Sequence, residues 1–200
     1  MTFRVHIFAA CALLALSSCQ AKTDEEAVQD PPIAEANIDA SQLDVAEAMI
    51  DAFYSFDPEQ LRPLLVDAGD AADRLLFYQG WAEGGNYKIV NRGACEKIED
   101  TKAKCPITVE DDAVLALKTD FKVTDTFTVT FDGSTIKDVE TSSNDQPVYY
   151  QAAEWVRKKY PEIMDGPCQG FFAGGPTPGD CARAMVAGYR EFADSDDFPG

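Results

Sequence analysis

The chain has 200 residues, 46 % of them hydrophobic, which suits one ordinary domain and is too short for several. Its 35 acidic against 17 basic side chains give a formal charge of −18, and so acidic a surface excludes wrapping of nucleic-acid phosphates. The one histidine, His6, falls in a segment expected to be removed, which excludes Ser-His-Asp and Cys-His catalysis, the common zinc sites and a histidine pH switch from the working protein.

In chain order, Met1–Ser18 reads as a signal peptide: one base, Arg4, then an apolar run from Val5 to Leu16. A run of about a dozen apolar residues is well short of the roughly 20 that span a bilayer as a helix. It ends in Leu16-Ser17-Ser18-Cys19, which resembles the bacterial lipobox and implies cleavage before Cys19 and acylation of its thiol. Ordinary secretion with cleavage nearby is the plainer alternative. Gln20-Ala21 lacks the aspartate of an inner-membrane retention signal, so the expected location is the outer membrane, facing the periplasm. Removing Met1–Ser18 takes Arg4 and no acid, leaving 35 acids against 16 bases. An anionic headgroup surface repels such a body, so the partner bilayer must hold it through the lipid.

Residues 19–40 read as a disordered tether: acidic, interrupted by Pro31-Pro32, and without an aromatic side chain. As a coil, about 20 residues reach on the order of 25 Å. The main domain is expected over 41–146. Ser41 is an N-cap candidate with Asp44 closing a capping box, and Leu43, Ala46, Met49, Ile50, Phe53 and Tyr54 recur at helical spacing. Asp57-Pro58 starts a short second helix, and a third runs over about 71–83 to Gly84-Gly85. The period then becomes two: Tyr87 and Ile89, then Cys105, Ile107 and Val109, and after a helical turn near 112–118 the strand Asp125 to Phe131. Asp132-Gly133 is a hairpin turn, and the odd spacing of Ile136 and Val139 predicts a bulge on the returning strand. A C-terminal helical extension over 147–195 is expected to carry a helix from Pro147 to Tyr160, stopped by Pro161, and a last helix after Thr177; residues 196–200 are expected to fray.

Four cysteines remain once Cys11 leaves with the signal and Cys19 takes the lipid. An even number in an exported chain without histidine points to disulfides rather than metal. Of the three possible pairings the local one is preferred: Cys95–Cys105 staples neighbouring strands, and Cys168–Cys181 clips a Gly/Pro-rich loop to the last helix. A buried, reduced pair is the alternative.

Phe53-Tyr54 before Asp57-Pro58, the helix Leu75 to Trp81, the Asp125-Thr126-Phe127-Thr128-Val129 strand, its Asp132-Gly133 turn and Ile136 come in a recognisable order. The stretch Leu43–Val139, about half the chain, resembles the nuclear transport factor 2-like (SnoaL-like) superfamily. The resemblance implies an α+β fold in which a curved, mostly antiparallel sheet forms a cone around the N-terminal helices; the extension from Pro147 is foreign to the plain cone. The superfamily holds cyclases, ketosteroid-type isomerases, dehydratases and many non-catalytic binding or dimerising modules. Its cyclase branch uses an Asp with a nearby His, missing here. Its isomerase branch uses a first-helix Tyr whose place falls near Met49.

The candidate pocket is Tyr54, Tyr78, Trp81, Phe127 and Val129 with Asp125 beside them, fit for a small apolar molecule; the plainer reading is a filled core. Asp125 or Asp51 can serve as a general base only if burial raises its pKa. By helical phase Asp51 sits off the apolar face, and Asp125 is read as a solvated carboxylate at a strand entrance. Glu110-Asp111-Asp112 and Asp194-Ser195-Asp196-Asp197 lack the alternating acids and central glycine of a calcium loop. Gly174-Gly175-Pro176 lacks the lysine of a phosphate loop, and Phe171-Phe172 reads as a plug, a pocket cover or an exposed patch. No catalytic residue, metal ligand or cofactor is assigned. The expectation is an envelope lipoprotein whose domain binds a small apolar ligand or an envelope protein without catalysis. The alternatives are an Asp/Tyr-dependent isomerase, cyclase or dehydratase, and a homodimerising module pairing through the Thr126, Thr128 and Thr130 face.

Overall fold

Three helices open the fold. In α1 (Ala40–Tyr54) the side chains of Ala46, Met49, Ile50 and Phe53 are fully buried, the stripe that 3.6-residue spacing dictates. The helix begins at Ala40, so Ser41 lies inside it rather than at its cap. Phe56 reverses the chain in the left-handed region (φ +56°), and buried Gln79 secures the end of α1 by donating to the carbonyls of Ala52 and Phe53 at 3.0 and 3.1 Å. The Asp57 carboxylate then caps α2 (Pro58–Leu61) by accepting from the Glu59 amide at 3.0 Å. A 3₁₀ turn over Arg62–Leu65 leads into α3 (Asp70–Gly84).

The sheet has five antiparallel strands: β1 (Lys88–Arg92), β2 (Glu96–Glu99), β3 (Lys102–Glu110), β4 (Val123–Asp132) and β5 (Thr135–Ser143). Their order is β1-β3-β4-β5, with β2 sharing the β3 edge with β1. This is an α+β architecture with an open sheet. Short α4 (Asp112–Ala116) separates β3 from β4. Cys105 and Pro106 occupy the stretch of β3 where β1 gives way to β2; Pro106 has no N–H to donate, and here it meets no regular partner on that side. The Cys95–Cys105 disulfide closes the same gap, with Cα atoms 4.2 Å apart. The expected bulge is present, Phe131 pairing with Ile136 directly after Thr130 pairs with Asp138, and Gly133 at φ +59° makes the turn. β1 and β2 differ from expectation in lying exposed along their whole length, with Ile89 40 % accessible.

Three further helices follow among the described residues: α5 (Pro147–Lys159), α6 (Pro161–Asp165) and α7 (Pro178–Ala193). Pro161 both ends α5 and occupies the first turn of α6, a helix the sequence reading omitted. The structure, a computed structural model, describes residues 40–169 and 178–199, all within the compact unit Glu35–Gly200. The lipobox, Cys19 and the tether to residue 39 lie outside the described residues, as do Thr177 and the Phe171-Phe172 pair. No helix among the described residues is long and apolar enough to cross a membrane.

Two cores result. The first lies between the N-terminal helices and the sheet, with α1 against β3 and α3 against β5. The second gathers α4, α5 and α7 around Trp81, and Tyr78 and Tyr87 pack into both. The helices α3 and α7 cross at their backbones: a Cβ on Gly84 would stand 2.2 Å from the Gly179 carbonyl oxygen, so only glycine fits. Phe198 packs edge-on against Phe192 at 5.5 Å, and the Trp155 indole donates to Asp197 at 2.8 Å, because the second core leaves an aromatic face for the tail to cover.

Candidate functional site

Strand β4 buries alternate residues, and the buried set is Val123, Asp125, Phe127, Val129 and Phe131. Asp125 therefore faces inward and is 1 % exposed, which corrects its reading as a solvated carboxylate. The strand begins at Val123, two residues before the expected entrance, and places Asp125 within the ladder between Ile107 and Ser143. Its oxygens are occupied. Ser143 donates to Oδ1 at 2.5 Å, and the Tyr54 hydroxyl donates to Oδ2 at 3.2 Å. Tyr78 adds a third hydroxyl. Burial raises the Asp125 pKa while the three donors oppose the rise. Tyr54 and Tyr78 are held protonated, first by burial and then by nearby charge. The hydroxyl that α1 brings to Asp125 belongs to Tyr54, its last residue.

The remaining candidate residues divide between the two cores. Phe127 and Val129 are fully buried in the first, where the rings of Phe53, Tyr54 and Tyr78 pack on Phe127 with centroids 5.0, 6.2 and 6.3 Å away. Tyr78 and Trp81 face the second, where they line a cavity of about 280 Å³ between α3, α5 and α7. Its walls come from stripes of residues four apart: Tyr149, Ala153 and Arg157 on α5, and Cys181, Met185 and Tyr189 on α7, with Phe77 and Trp81 on α3. The small side chain of Ala153 leaves the room in the middle. Cys168, bonded to Cys181 with Cα atoms 4.5 Å apart, closes one wall. A wider hollow of about 580 Å³ between α3 and β5 is walled by the polar side chains of Arg74, Thr128, Glu140, Thr141 and Ser142 together with Leu75 and Val139.

A seam of ionisable groups runs between Asp125 and the cavity. Asp111, 3 % exposed, caps α4 by accepting from the Val114 amide at 2.8 Å; burial lifts its pKa to about 6 against this hydrogen bond, and Asp125 and Asp145 add to the rise. Asp145 is raised by burial and by Asp125, opposed by the Tyr150 hydroxyl at 3.3 Å. Burial, reinforced by these carboxylates, keeps the phenols of Tyr87 and Tyr149 protonated. The seam is a set of hydroxyl donors around acids that bind protons more readily than exposed ones.

The other sequence candidates are placed elsewhere. Asp51 is exposed and pairs with Arg92, which also reaches Glu47 at 2.7 Å. Glu110 pairs with Lys122 and Asp112 accepts from Asn86 at 3.1 Å, and among the described residues no group of three or more His, Cys, Asp or Glu side chains is set to hold a metal ion. The Thr126, Thr128 and Thr130 side chains are partly exposed on the outer sheet face. Ser143, Tyr149 and Arg157 were absent from the sequence candidates; the 149–153–157 spacing on a helix already expected was the available signal. No protein-family model matches the chain, and neither a curated protein nor a solved structure matches it.

Proposed function

We propose that the protein is an envelope lipoprotein, anchored through acylated Cys19, whose folded domain binds a small apolar molecule without transforming it. The cavity between α3, α5 and α7 carries this reading. At about 280 Å³ it stands at the small end of the range of ligand sites, and aromatic and sulfur-bearing side chains make most of its wall. Ligand burial there removes apolar surface from water on both partners. In the same reading the sheet and N-terminal helices form a cone of the nuclear transport factor 2-like kind, and the α5–α7 extension adds the cavity to it.

The test is to purify the full lipidated chain from its native membrane and extract it with organic solvent for mass spectrometry. A bound small molecule near one equivalent, and its loss from Ala153→Phe with an unchanged circular dichroism spectrum, is the expected result. An empty wild-type cavity, together with no quenching of Trp81 by apolar aromatic probes, would sink the reading. An acid–base enzyme is the second reading, favoured by the buried Asp125 with its Tyr54 and Tyr78 donors. It requires a substrate to displace one of three hydroxyls from a carboxylate that is 1 % exposed. Turnover lost in Asp125→Asn, with ligand binding retained, would select it.

A further inference from the structure

The two edges of the sheet are built differently. The β1–β2 edge is interrupted by register shifts at Ile89/Asn91 and Lys97/Glu99, and it carries Lys88, Arg92 and Lys97. Irregularities and basic side chains of this kind keep an edge from adding further strands. On β5 the register shift lies at the start, and residues 138–143 then pair without a break against residues 125–130. No proline or lysine interrupts that stretch. Among the described residues β5 is the last strand on its side, so alternate backbone N–H and C=O groups point away from β4 with no strand to meet them.

We infer that this edge takes up an extended, basic segment of another protein as a sixth strand beside residues 139–143. The hollow of about 580 Å³ touches both faces of β5: Glu140 and Ser142 share the outer face with Thr128, while Val139 and Thr141 share the inner face with Val129 and Phe127. Only the space beyond the edge reaches both faces. Leu75 of α3 supplies its inner wall, and Arg74, which donates to Asp138 at 3.2 Å, marks its end. Thr141 and Ser143 lie opposite buried Phe127 and Asp125 yet are exposed, so the inner face of β5 is uncovered beyond Val139. Five residues span about 17 Å, the length of an ordinary strand.

Charge decides the occupant. Glu140 is exposed on the outer face between Asp138 and Ser142, and its cross-strand neighbour Thr128 carries no charge. A basic side chain beside Glu140 on the incoming strand makes a cross-strand pair, and its apolar neighbours turn towards Leu75 and Val139. The chain itself offers no such segment. Residues 23–39 hold six acids and no base, and β5 of a second copy would bring another Asp138 and Glu140 to the same face.

The experiment uses the full chain and the peptide Thr-Lys-Val-Lys-Val-Lys-Val-Thr, blocked at both ends, beside the same peptide with Glu in place of Lys. The Lys peptide should bind on the order of tenfold more tightly, the scale of one charge-assisted contact, and slow amide hydrogen exchange within residues 139–143. N-methylation of alternate amides removes donors from one side of the peptide at a time. One alternate set should cost on the order of tenfold in affinity and the other little, because a sixth strand pairs through a single side. Glu140→Gln should weaken the Lys peptide by about two- to fivefold, and Glu162→Gln, on α6, should not. Equal loss from both Gln variants reports attraction to the overall charge and overturns the inference. Equal tolerance of the two methylation patterns, binding without slowed exchange along β5, or no binding of the Lys peptide overturns it too. So does a chain of doubled mass whose β5 amides are protected without peptide, since a second copy then holds the edge.

Discussion

The two cores of this protein solve the same packing problem by different means. The first is laid down on a ladder: β3, β4 and β5 fix alternate side chains against α1 and α3, and Phe53, Phe127 and Val129 are completely buried. The second has no ladder. Helices α3, α5 and α7 meet through glycine contacts, Gly84 on Gly179 and Gly188 on Val156, and a disulfide. Helices crossing on small residues leave about 280 Å³ between bulky aromatic neighbours, whereas the hollow of about 580 Å³ beside the first core lies against polar side chains of α3, β4 and β5. The apolar cavity lies in the core built from helices, and the buried carboxylate lies in the core built from strands.

The sharpest way to break this contrast is to truncate one large side chain in each core. Phe127→Ala should cost about 4 kcal/mol in urea unfolding, because its neighbours on the ladder cannot collapse into the hole. Met185→Ala, beside space that already exists, should cost about 2 kcal/mol, the low end for that substitution. Similar losses at both positions would mean that the second core is as tightly filled as the first.

The disulfides test whether the staple of the second core also serves the cavity. Their sequence separations of 10 and 13 residues give nearly equal chain-entropy contributions, about 3 kcal/mol each. Replacing Cys168 and Cys181 by serine should therefore destabilise about as much as replacing Cys95 and Cys105. Only the former pair should weaken quenching of Trp81 by an apolar aromatic probe, since both its cysteines line the cavity.

The seam between the cores gives a smaller effect, of unusual sign. The folded-state pKa of Asp111 is about 6, above the ordinary value of about 3.9, so the folded chain binds this proton more tightly than the unfolded one. Its contribution to stability therefore rises as the pH falls from 7 through 6 and is complete below about 4. Asp125 and Asp145 shift in the same direction; half-buried Asp57 and Glu110 shift oppositely. Asp111→Asn retains the cap on α4 and removes the charge. It should stabilise by up to about 2 kcal/mol at pH 7.5 and by little at pH 4, measured as urea midpoints at both values. Last, Asp51→Ala should change stability by less than about 1 kcal/mol, as its exposed pair with Arg92 implies.

Much of the fold was readable because its periodicities are strong. The stripe of α1, the Phe127–Val129–Phe131 alternation and the Asp132-Gly133 turn with its bulge are all local signals. Asp125 was misread although it shares the parity of Phe127, because the strand was started at Asp125 rather than at Val123. Had the strand been extended by two residues, the same alternation would have turned Asp125 inward. The second core was less legible. The stripes of α5 and α7 are visible separately, but nothing local states that they face each other or that Gly84 lets α7 approach α3. The docked tail depends on Phe192 and Trp155 presenting an open aromatic face, a property of assembled helices rather than of the sequence around Phe198.

The crossing of α3 with α7 also orders events in time. Glu83 and Arg183, which pair across it, stand 100 residues apart, and closing so long a loop comes late in folding. A nascent chain that has emerged only as far as α6 already holds every strand of the sheet, while the face of α3 bearing Trp81 and Gly84 awaits its cover. Cys168 emerges before its partner and waits as a thiol until Cys181 follows. During synthesis, then, the cavity between α3, α5 and α7 closes only after every strand has emerged, and a chain released before residue 178 carries the uncovered flank of α3.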